Sequence, residues 1–175
     1  HSFGKVFKTF SPNPYERVFF GGTVILCITL LLGTTRYSGT GIEVIVSAIG
    51  GTARNTDFFW KMLFTAITLA CGYKGGEIIP SFFVGATFGC VIAPVLGLSS
   101  SLGAAIGMVS VFCGVTNCPI ASLLIALELF GKAPILYFLL AIAISYMLSG
   151  YYSLYKTQII AVSKYKNEYV DKKTH

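Results

Sequence analysis

A carboxylate, a pair of glycines and a proline stand directly in front of a long apolar segment of this chain. The stretch reads KGGEIIP over residues 74–80 and continues as SFFVGATFGC. Proline is favoured in the first turn of a helix, where its missing N–H is not needed, so the stretch predicts a helix that starts near Ile78. The amides of Glu77, Ile78 and Ile79 are then free donors at the positive end of the helix dipole. Such an end can bind an anion; the alternative is a plain helix cap.

Glu77 is the second group in this stretch that could do chemistry. A carboxylate beside an anion site is costly unless it is protonated or paired. Glu77 could therefore titrate, donate a hydrogen bond to a small basic anion, or pass a proton. The alternative is that it faces away and forms an ion pair with Lys74, three residues earlier.

Two further charged residues lie within or beside apolar segments. Glu128 stands late in one of them, and an acid inside a membrane is a functional hypothesis by default. We prefer a structural interpretation, in which Glu128 pairs with Lys132 at i+4. Lys61 lies beside Trp60 near the start of another segment, which is typical of an anchor at the membrane interface.

The sequence does not favour an enzyme. The five cysteines mostly fall inside apolar runs and form no CxxC pair, so we interpret them as small buried hydrophobic residues. No metal-ligand cluster, nucleophile motif or phosphate-binding loop is found, and we expect no cofactor and no metal. The five are Cys27, Cys71, Cys90, Cys113 and Cys118.

The composition indicates an integral membrane protein. Charged residues are 11% of the chain and apolar residues 54%, with a mean hydropathy of +0.74. Soluble domains carry roughly 25% charged residues, and a domain with so few could not cover its surface. Much of the net charge of +6 lies in the last twenty residues. A basic tail after the last apolar run predicts a cytoplasmic C-terminus rather than nucleic-acid binding.

Apolar runs separated by short polar or glycine-rich breaks organise the chain. A helix needs about 20 residues to cross the hydrocarbon core of a membrane, and several runs are shorter. Backbone can end inside a membrane only where protein or a water-filled cavity receives it, and interrupted helices of this kind often hold ions near the midplane. The runs cover residues 18–33, 42–49, 58–73, 78–98, 102–115, 120–130, 134–148 and, more weakly, 152–162.

Glycines recur at a spacing of four in two neighbouring runs. Gly85 and Gly89 form one pair, and Gly103 and Gly107 form the other. Small residues at this spacing let two helices approach closely in lipid, so we predict close packing between these two segments.

Three motifs resemble the CLC family of chloride channels and anion–proton exchangers, in the order and spacing of that family. GGEIIPSFFVGATFG resembles the signature that opens a helix whose amides coordinate the central anion. NCPIASLLIALELFG resembles a helix with a proline near its start and a glutamate near its end, here Pro119 and Glu128. By this resemblance the anion-binding motif is occupied by Gly76, Glu77, Ile78, Ile79 and Pro80.

The third motif concerns a tyrosine. GYYSLYKTQII resembles the start of the family's final helix, where a tyrosine hydroxyl touches the central anion. The resemblance assigns this role to Tyr155, with Tyr152 as the alternative.

The resemblance is to the C-terminal half of the family's fold. CLC proteins consist of two inverted halves, and the first carries a GSGIP-like anion loop and a GxExP loop with the gating glutamate; neither occurs in these residues. The implied fold is an all-α integral membrane structure of broken and tilted helices. Residues 1–162 would form the transmembrane part and residues 163–175 a basic cytoplasmic tail. The N-terminal half would be needed to complete the pore.

The resemblance implies transport of a halide across the membrane. A glutamate at position 77 resembles the bacterial branch that exchanges fluoride for protons, whereas chloride-type members usually carry an apolar residue there. Ile79, however, stands where that branch has a hydroxyl residue. Chloride or fluoride, with or without protons, and channel or exchanger therefore stay open.

The implied partners are a halide, protons, the lipid bilayer and a second subunit. By resemblance a homodimer would form through residues 120–148, in a bacterial inner or plasma membrane that the chain crosses several times. The alternative is a membrane structural or assembly protein, or a truncated remnant, that conducts nothing.

Overall fold

The computed structural model describes residues 13–155, 157–164 and 168–174. Within these residues the chain forms seven α-helices, and a short 3-10 helix, Ala93–Leu96, follows the fourth. Two antiparallel strands pair near the C-terminus. The helices are α1 (Pro14–Leu32), α2 (Ile42–Ile49), α3 (Asp57–Ala70), α4 (Ile78–Ile92), α5 (Ser100–Thr116), α6 (Pro119–Phe130) and α7 (Ile135–Leu148), and the strands are β1 (Ile159–Val162) and β2 (Tyr169–Lys173).

Two helical segments of the described chain are long and apolar enough to cross a membrane. They are α1 and the segment Ile78–Leu96, which joins α4 to the 3-10 helix, and each has 19 residues. The apolar helices α5, α6 and α7 have only 17, 12 and 14 residues, fewer than the roughly 20 that a full crossing needs. The prediction of a helical fold in which several helices stop short is confirmed.

Helices α4 and α5 pack against each other at the centre of the fold. A Cβ atom added to Gly85 would lie 2.5 Å from the carbonyl oxygen of Gly107, and one added to Gly89 would collide with the carbonyl oxygen of Gly103. The two helices therefore run antiparallel with their backbones in contact. The predicted close packing through these four glycines is confirmed.

Four further helices pack around this central pair. Helices α2 and α3 contact α4, whereas α6 and α7 contact α5. Phe83 of α4 is fully buried in the first apolar cluster, which includes residues from α2, α3 and α5. A second cluster joins α5 to α6 and α7 and contains Ala105, Val109, Cys113, Ala126, Phe138 and Ile142.

Lys61 is buried, and its interpretation as an interface anchor is wrong. Its side chain is 2% exposed, and its ammonium donates hydrogen bonds to the carbonyl oxygens of Gly39 (2.6 Å) and Tyr37 (3.2 Å). The same ammonium lies 5.1 Å from the centre of the Phe83 ring. The loop between α1 and α2 folds over the lysine and supplies the acceptors that a buried ammonium needs.

Asp57, one helical turn before Lys61, is also buried, and the sequence did not predict this. The Asp57 carboxylate accepts from the Arg36 guanidinium at 2.9 Å, from the Tyr37 hydroxyl at 2.9 Å and from the Arg54 amide at 3.1 Å. Burial, followed by the hydrogen bond to Asp57, raises the pKa of Tyr37. These contacts join the start of α3 to the loops on either side of α2.

The chain after α7 does not form the helix that the motif near Tyr152 predicts. Its described residues run without helix to β1, which pairs with β2 in the register Ile159↔Lys173 and Ile160↔Lys172. The prediction of a final helix is therefore wrong. The backbone here is held by long-range hydrogen bonds to α5 and by the strand ladder, which offer the peptide groups partners other than a helix.

Candidate functional site

The first turn of α4 presents backbone N–H donors that have no acceptor within the described structure, as predicted. The helix begins at Ile78, and the preceding Glu77 occupies the N-cap position without a side-chain cap. Within the described part of the chain, the amides of Glu77, Ile78 and Ile79 donate to no acceptor. Pro80, the third helical residue, has no N–H to satisfy. This end of the helix can therefore offer its donors and its dipole to an anion.

Ser81 stabilises the residue that precedes these donors. Its hydroxyl donates to the Glu77 carbonyl oxygen at 2.7 Å, and its amide donates to the same oxygen at 3.2 Å. The two bonds hold Glu77 at the start of the helix. Sequence reasoning missed this contact, although a serine four residues after the N-cap could have indicated it.

Open space lies in front of the first turn. A Cβ atom added to Gly75 or Gly76 would meet no atom within 4 Å, and both residues are exposed. The residue of this connection with a left-handed backbone is instead Gly72, with φ +96°, and beside it the Arg17 side chain donates to the Cys71 carbonyl oxygen at 3.3 Å. The left-handed turn of this connection thus lies at Gly72 rather than at Gly75 or Gly76.

The carboxylate of Glu77 is not engaged by Lys74. Glu77 is partly buried and Lys74 is exposed, and among the described residues the one ion pair is that between Arg36 and Asp57. Glu128 and Lys132 also form no ion pair in the described structure, so the predicted pairing of these two residues is wrong. Glu77 therefore has no ion-pair partner among the described residues.

Residues 150–155, here called the tyrosine segment, attach to the end of α5 that lies beside the start of α4. The Leu154 amide donates to the Val115 carbonyl oxygen at 2.8 Å, and the Ser153 hydroxyl donates to that of Thr116 at 3.0 Å. Because Phe82 of α4 packs against Phe112 of α5, with ring centres 5.1 Å apart, the first turn of α4 is next to the last turn of α5. The free amides and the tyrosine segment thus lie at the same end of the helix pair.

The tyrosine hydroxyls do not contact the free amides directly. In the portion of the chain that the structure describes, no hydrogen bond joins Tyr155 or Tyr152 to the first turn of α4. Tyr155 is 45% exposed and Tyr152 is 70% exposed. The Ile79 side chain packs against the first apolar cluster. The group of Ile79 that could contact an anion is therefore its backbone amide, not its side chain.

Asn117 holds the tyrosine segment in place, and sequence reasoning missed it. Its backbone is left-handed, with φ 59°, and its side-chain amide donates to the carbonyl oxygens of Gly150 (3.1 Å) and Tyr152 (3.2 Å). Asparagine tolerates this backbone conformation better than most residues, and its place between α5 and the Cys-Pro start of α6 is the signal that could have identified it.

Lys164 completes this anchor. Its ammonium donates to Asn117 Oδ1 (2.6 Å), to the Tyr146 carbonyl oxygen (2.6 Å) and to Ser149 Oγ (2.9 Å). Burial lowers the pKa of Lys164. A cation at the C-terminal end of α7 also interacts favourably with the negative end of its dipole.

Two comparisons of sequence identify relatives of this chain. The family described as voltage gated chloride channel matches residues 1–150. A protein of Pseudomonas syringae pv. tomato named chloride/fluoride channel protein is 37% identical over 170 residues, which are 94% of this chain and 37% of that protein. An uncharacterised protein of Methanocaldococcus jannaschii is 30% identical over 71 residues, which are 41% of this chain and 18% of that protein.

A comparison of structures gives the same result. A crystal structure described as that of a CLC-type fluoride/proton antiporter superposes with a TM-score of 0.83 and 32% identity, over 88% of this chain and 39% of that one. The likeness confirms the predicted fold class, a membrane protein of broken helices. The chain spans 37% and 39% of these two relatives.

Proposed function

The chain belongs to the voltage gated chloride channel family, and we propose that it forms the C-terminal half of a transporter that moves halide ions across a bacterial inner membrane. The observation that carries this proposal is the presence of free amides at the start of α4. Open space in front of these donors leaves room for an ion. The N-terminal half of the transporter would complete the pore, and residues 163–175 would form a cytoplasmic tail after the transmembrane residues 1–162.

The proposed anion contacts are backbone groups of Gly76, Glu77, Ile78 and Ile79 together with the hydroxyl of Tyr155. Peptide dipoles attract a halide without the deep trap that a full positive charge would create. Tyr152 is the alternative to Tyr155, because both belong to the segment that attaches beside the start of α4.

We further propose that the transported ion is fluoride and that Glu77 couples its movement to protons. Fluoride accepts strong hydrogen bonds, and a carboxyl group next to the free amides could donate one or carry a proton. The absence of an ion pair with Lys74 in the described structure supports this role. The names of the relatives, chloride/fluoride channel protein and fluoride/proton antiporter, agree with a halide of this kind.

Ion efflux from liposomes tests the proposed function. The full-length protein that contains this chain is reconstituted, and the efflux of fluoride, the efflux of chloride and the movement of protons are recorded. Fluoride efflux with opposite proton movement is the expected result. Free passage of chloride with refusal of fluoride would contradict the fluoride assignment. A protein that passes neither ion would support the alternative, a non-conducting membrane assembly protein.

The proposed partner is a second copy of the same protein, bound through residues 120–148. Helices α6 and α7 expose large apolar side chains, among them Leu124, Leu136 and Leu140. These residues suit either lipid or another subunit. Chemical cross-linking of cysteine substitutions on these two helices in native membranes would yield a covalent dimer if they form the interface.

A further inference from the structure

A cavity of about 530 Å³ lies at the opposite end of α4 from the candidate anion site. It is lined by the last turn of α4 and by Pro94 of the 3-10 helix, by the end of α2 and by the first residue of α5. Pro94 is 16 residues beyond Ile78, which is about 24 Å along a helix. The cavity is therefore separate from the free amides. Its polar lining residues include Arg36, Arg54, Ser47 and Ser100.

The cavity is positively charged. Arg36 and Arg54 both contribute to its lining, and none of the described lining residues is acidic. Asp57 is fully buried beneath them, where it accepts from the Arg36 side chain and from the Arg54 backbone. One carboxylate thus offsets one of two guanidinium groups, and a positive charge remains.

Arg54 carries the charge that is available to a ligand. Its side chain is exposed, and no described residue pairs with it. Its backbone is nevertheless fixed, because its amide donates to Asp57 at 3.1 Å. Asp57 likewise holds Arg36 through Nη2 at 2.9 Å and Nε at 3.4 Å. A ligand would meet one exposed guanidinium, that of Arg54, and one anchored guanidinium, that of Arg36.

Exposed apolar residues adjoin the polar lining. Val46 precedes the lining residue Ser47, and Val95 and Leu96 follow the lining residue Pro94. Val95 is 82% exposed and Leu96 is 68% exposed. A ligand with an anionic head and an apolar body matches both surfaces, whereas a soluble inorganic anion would use only the polar one.

We propose that this cavity binds the phosphate headgroup of an anionic phospholipid, whose acyl chains lie along Val46, Val95 and Leu96. The cavity has the volume usual for ligand pockets, about 300–1,000 Å³, which is far larger than a halide needs. Guanidinium groups bind phosphate through paired N–H donors, and basic pockets between membrane helices are known to take lipid headgroups. The inference does not depend on the proposed function.

Native mass spectrometry of the full-length protein tests this assignment. The protein in detergent is titrated separately with phosphatidylglycerol, with the zwitterionic phosphatidylcholine and with inorganic phosphate. We expect retention of phosphatidylglycerol over phosphatidylcholine. Substitution Arg54→Gln should lower the apparent affinity for phosphatidylglycerol about tenfold, the effect of losing charge-assisted hydrogen bonds. Arg54→Lys should recover part of the loss, because the charge returns without the planar fork.

Lys132→Gln is the matched control, since it removes one exposed positive charge from the loop between α6 and α7. It should leave lipid retention unchanged. Equal retention by the wild-type protein and Arg54→Gln would overturn the proposal, and so would equal losses in Arg54→Gln and Lys132→Gln. Inorganic phosphate that displaces the lipid at equal concentration would identify a soluble-phosphate site instead. A wild-type protein that retains no phosphatidylglycerol would also overturn the proposal.

Discussion

At the scale of single residues, the start of α4 combines three features that the proposed chemistry requires. Its amides lack acceptors in the described structure, the space before them is open, and a carboxyl group stands at the N-cap. Ser81 holds this carboxyl-bearing residue through two hydrogen bonds to its carbonyl oxygen. The backbone of Glu77 is therefore held at the helix start by contacts that do not involve its side chain.

Substitution Glu77→Gln in the full-length protein should abolish proton movement while the fold is retained. Glutamine keeps the size of the side chain and the backbone bonds from Ser81, but it cannot titrate. Parallel recording of fluoride and proton fluxes in liposomes measures the effect. Glu128→Gln is the control and should leave coupling intact; unchanged coupling in Glu77→Gln would reduce Glu77 to a helix cap.

Substitution Tyr155→Phe should weaken halide binding about fivefold, which corresponds to the loss of about 1 kcal/mol from one neutral hydrogen bond. The Tyr155 side chain is 45% exposed and makes no hydrogen bond through its hydroxyl in the described structure, so the substitution should not destabilise the fold. Calorimetric titration with fluoride and chloride measures the affinity. A loss on Tyr152→Phe with none on Tyr155→Phe would reassign the contact to the alternative tyrosine.

At the scale of elements, the antiparallel pair of α4 and α5 determines which groups share one end of the fold. The glycines at their contact bring the backbones together, and Phe82 packs against Phe112 near the candidate site. The tyrosine segment bonds to the last turn of α5. Any change in the spacing of this pair would therefore move the tyrosines relative to the amides.

Substitution Gly107→Ala should destabilise the protein by about 1–3 kcal/mol, the usual range for overpacking. The added Cβ would collide with the Gly85 carbonyl oxygen, which is backbone and cannot rotate away. The midpoint of thermal unfolding in detergent measures the effect. Gly75→Ala is the control, since its Cβ would meet nothing within 4 Å; equal midpoints for the two variants would contradict the close contact.

At the scale of the whole molecule, two polar anchors hold irregular segments onto the helices. Lys61 and Asp57 secure the loops around α2. Asn117 and Lys164 secure the segment that follows α7. A buried polar group is tolerated only when it is hydrogen-bonded, and within the described chain no buried side-chain nitrogen or oxygen lacks a partner.

Substitution Lys61→Met should lower the free energy of unfolding by about 2 kcal/mol, because the carbonyl oxygens of Tyr37 and Gly39 would lose their donor. Methionine fills a similar volume, so the effect reports the hydrogen bonds rather than a cavity. Thermal unfolding in detergent measures it, with the exposed Lys74→Met as control. No difference between the two variants would show that the buried ammonium contributes nothing net.

Composition and local sequence pattern alone were sufficient to predict the membrane class, the helix start at Ile78 and the close packing of the glycines. Helix starts depend on capping and proline, which are local, and glycine spacing acts through helix periodicity. The burial of Lys61 and the non-helical path after Tyr152 depended on the tertiary structure, because their hydrogen-bond partners are 22–24 and 33–37 residues away along the chain. Only the folded chain shows that the tyrosine segment and the free amides share one end of the α4–α5 pair, since side chains and backbone groups distant in sequence meet there.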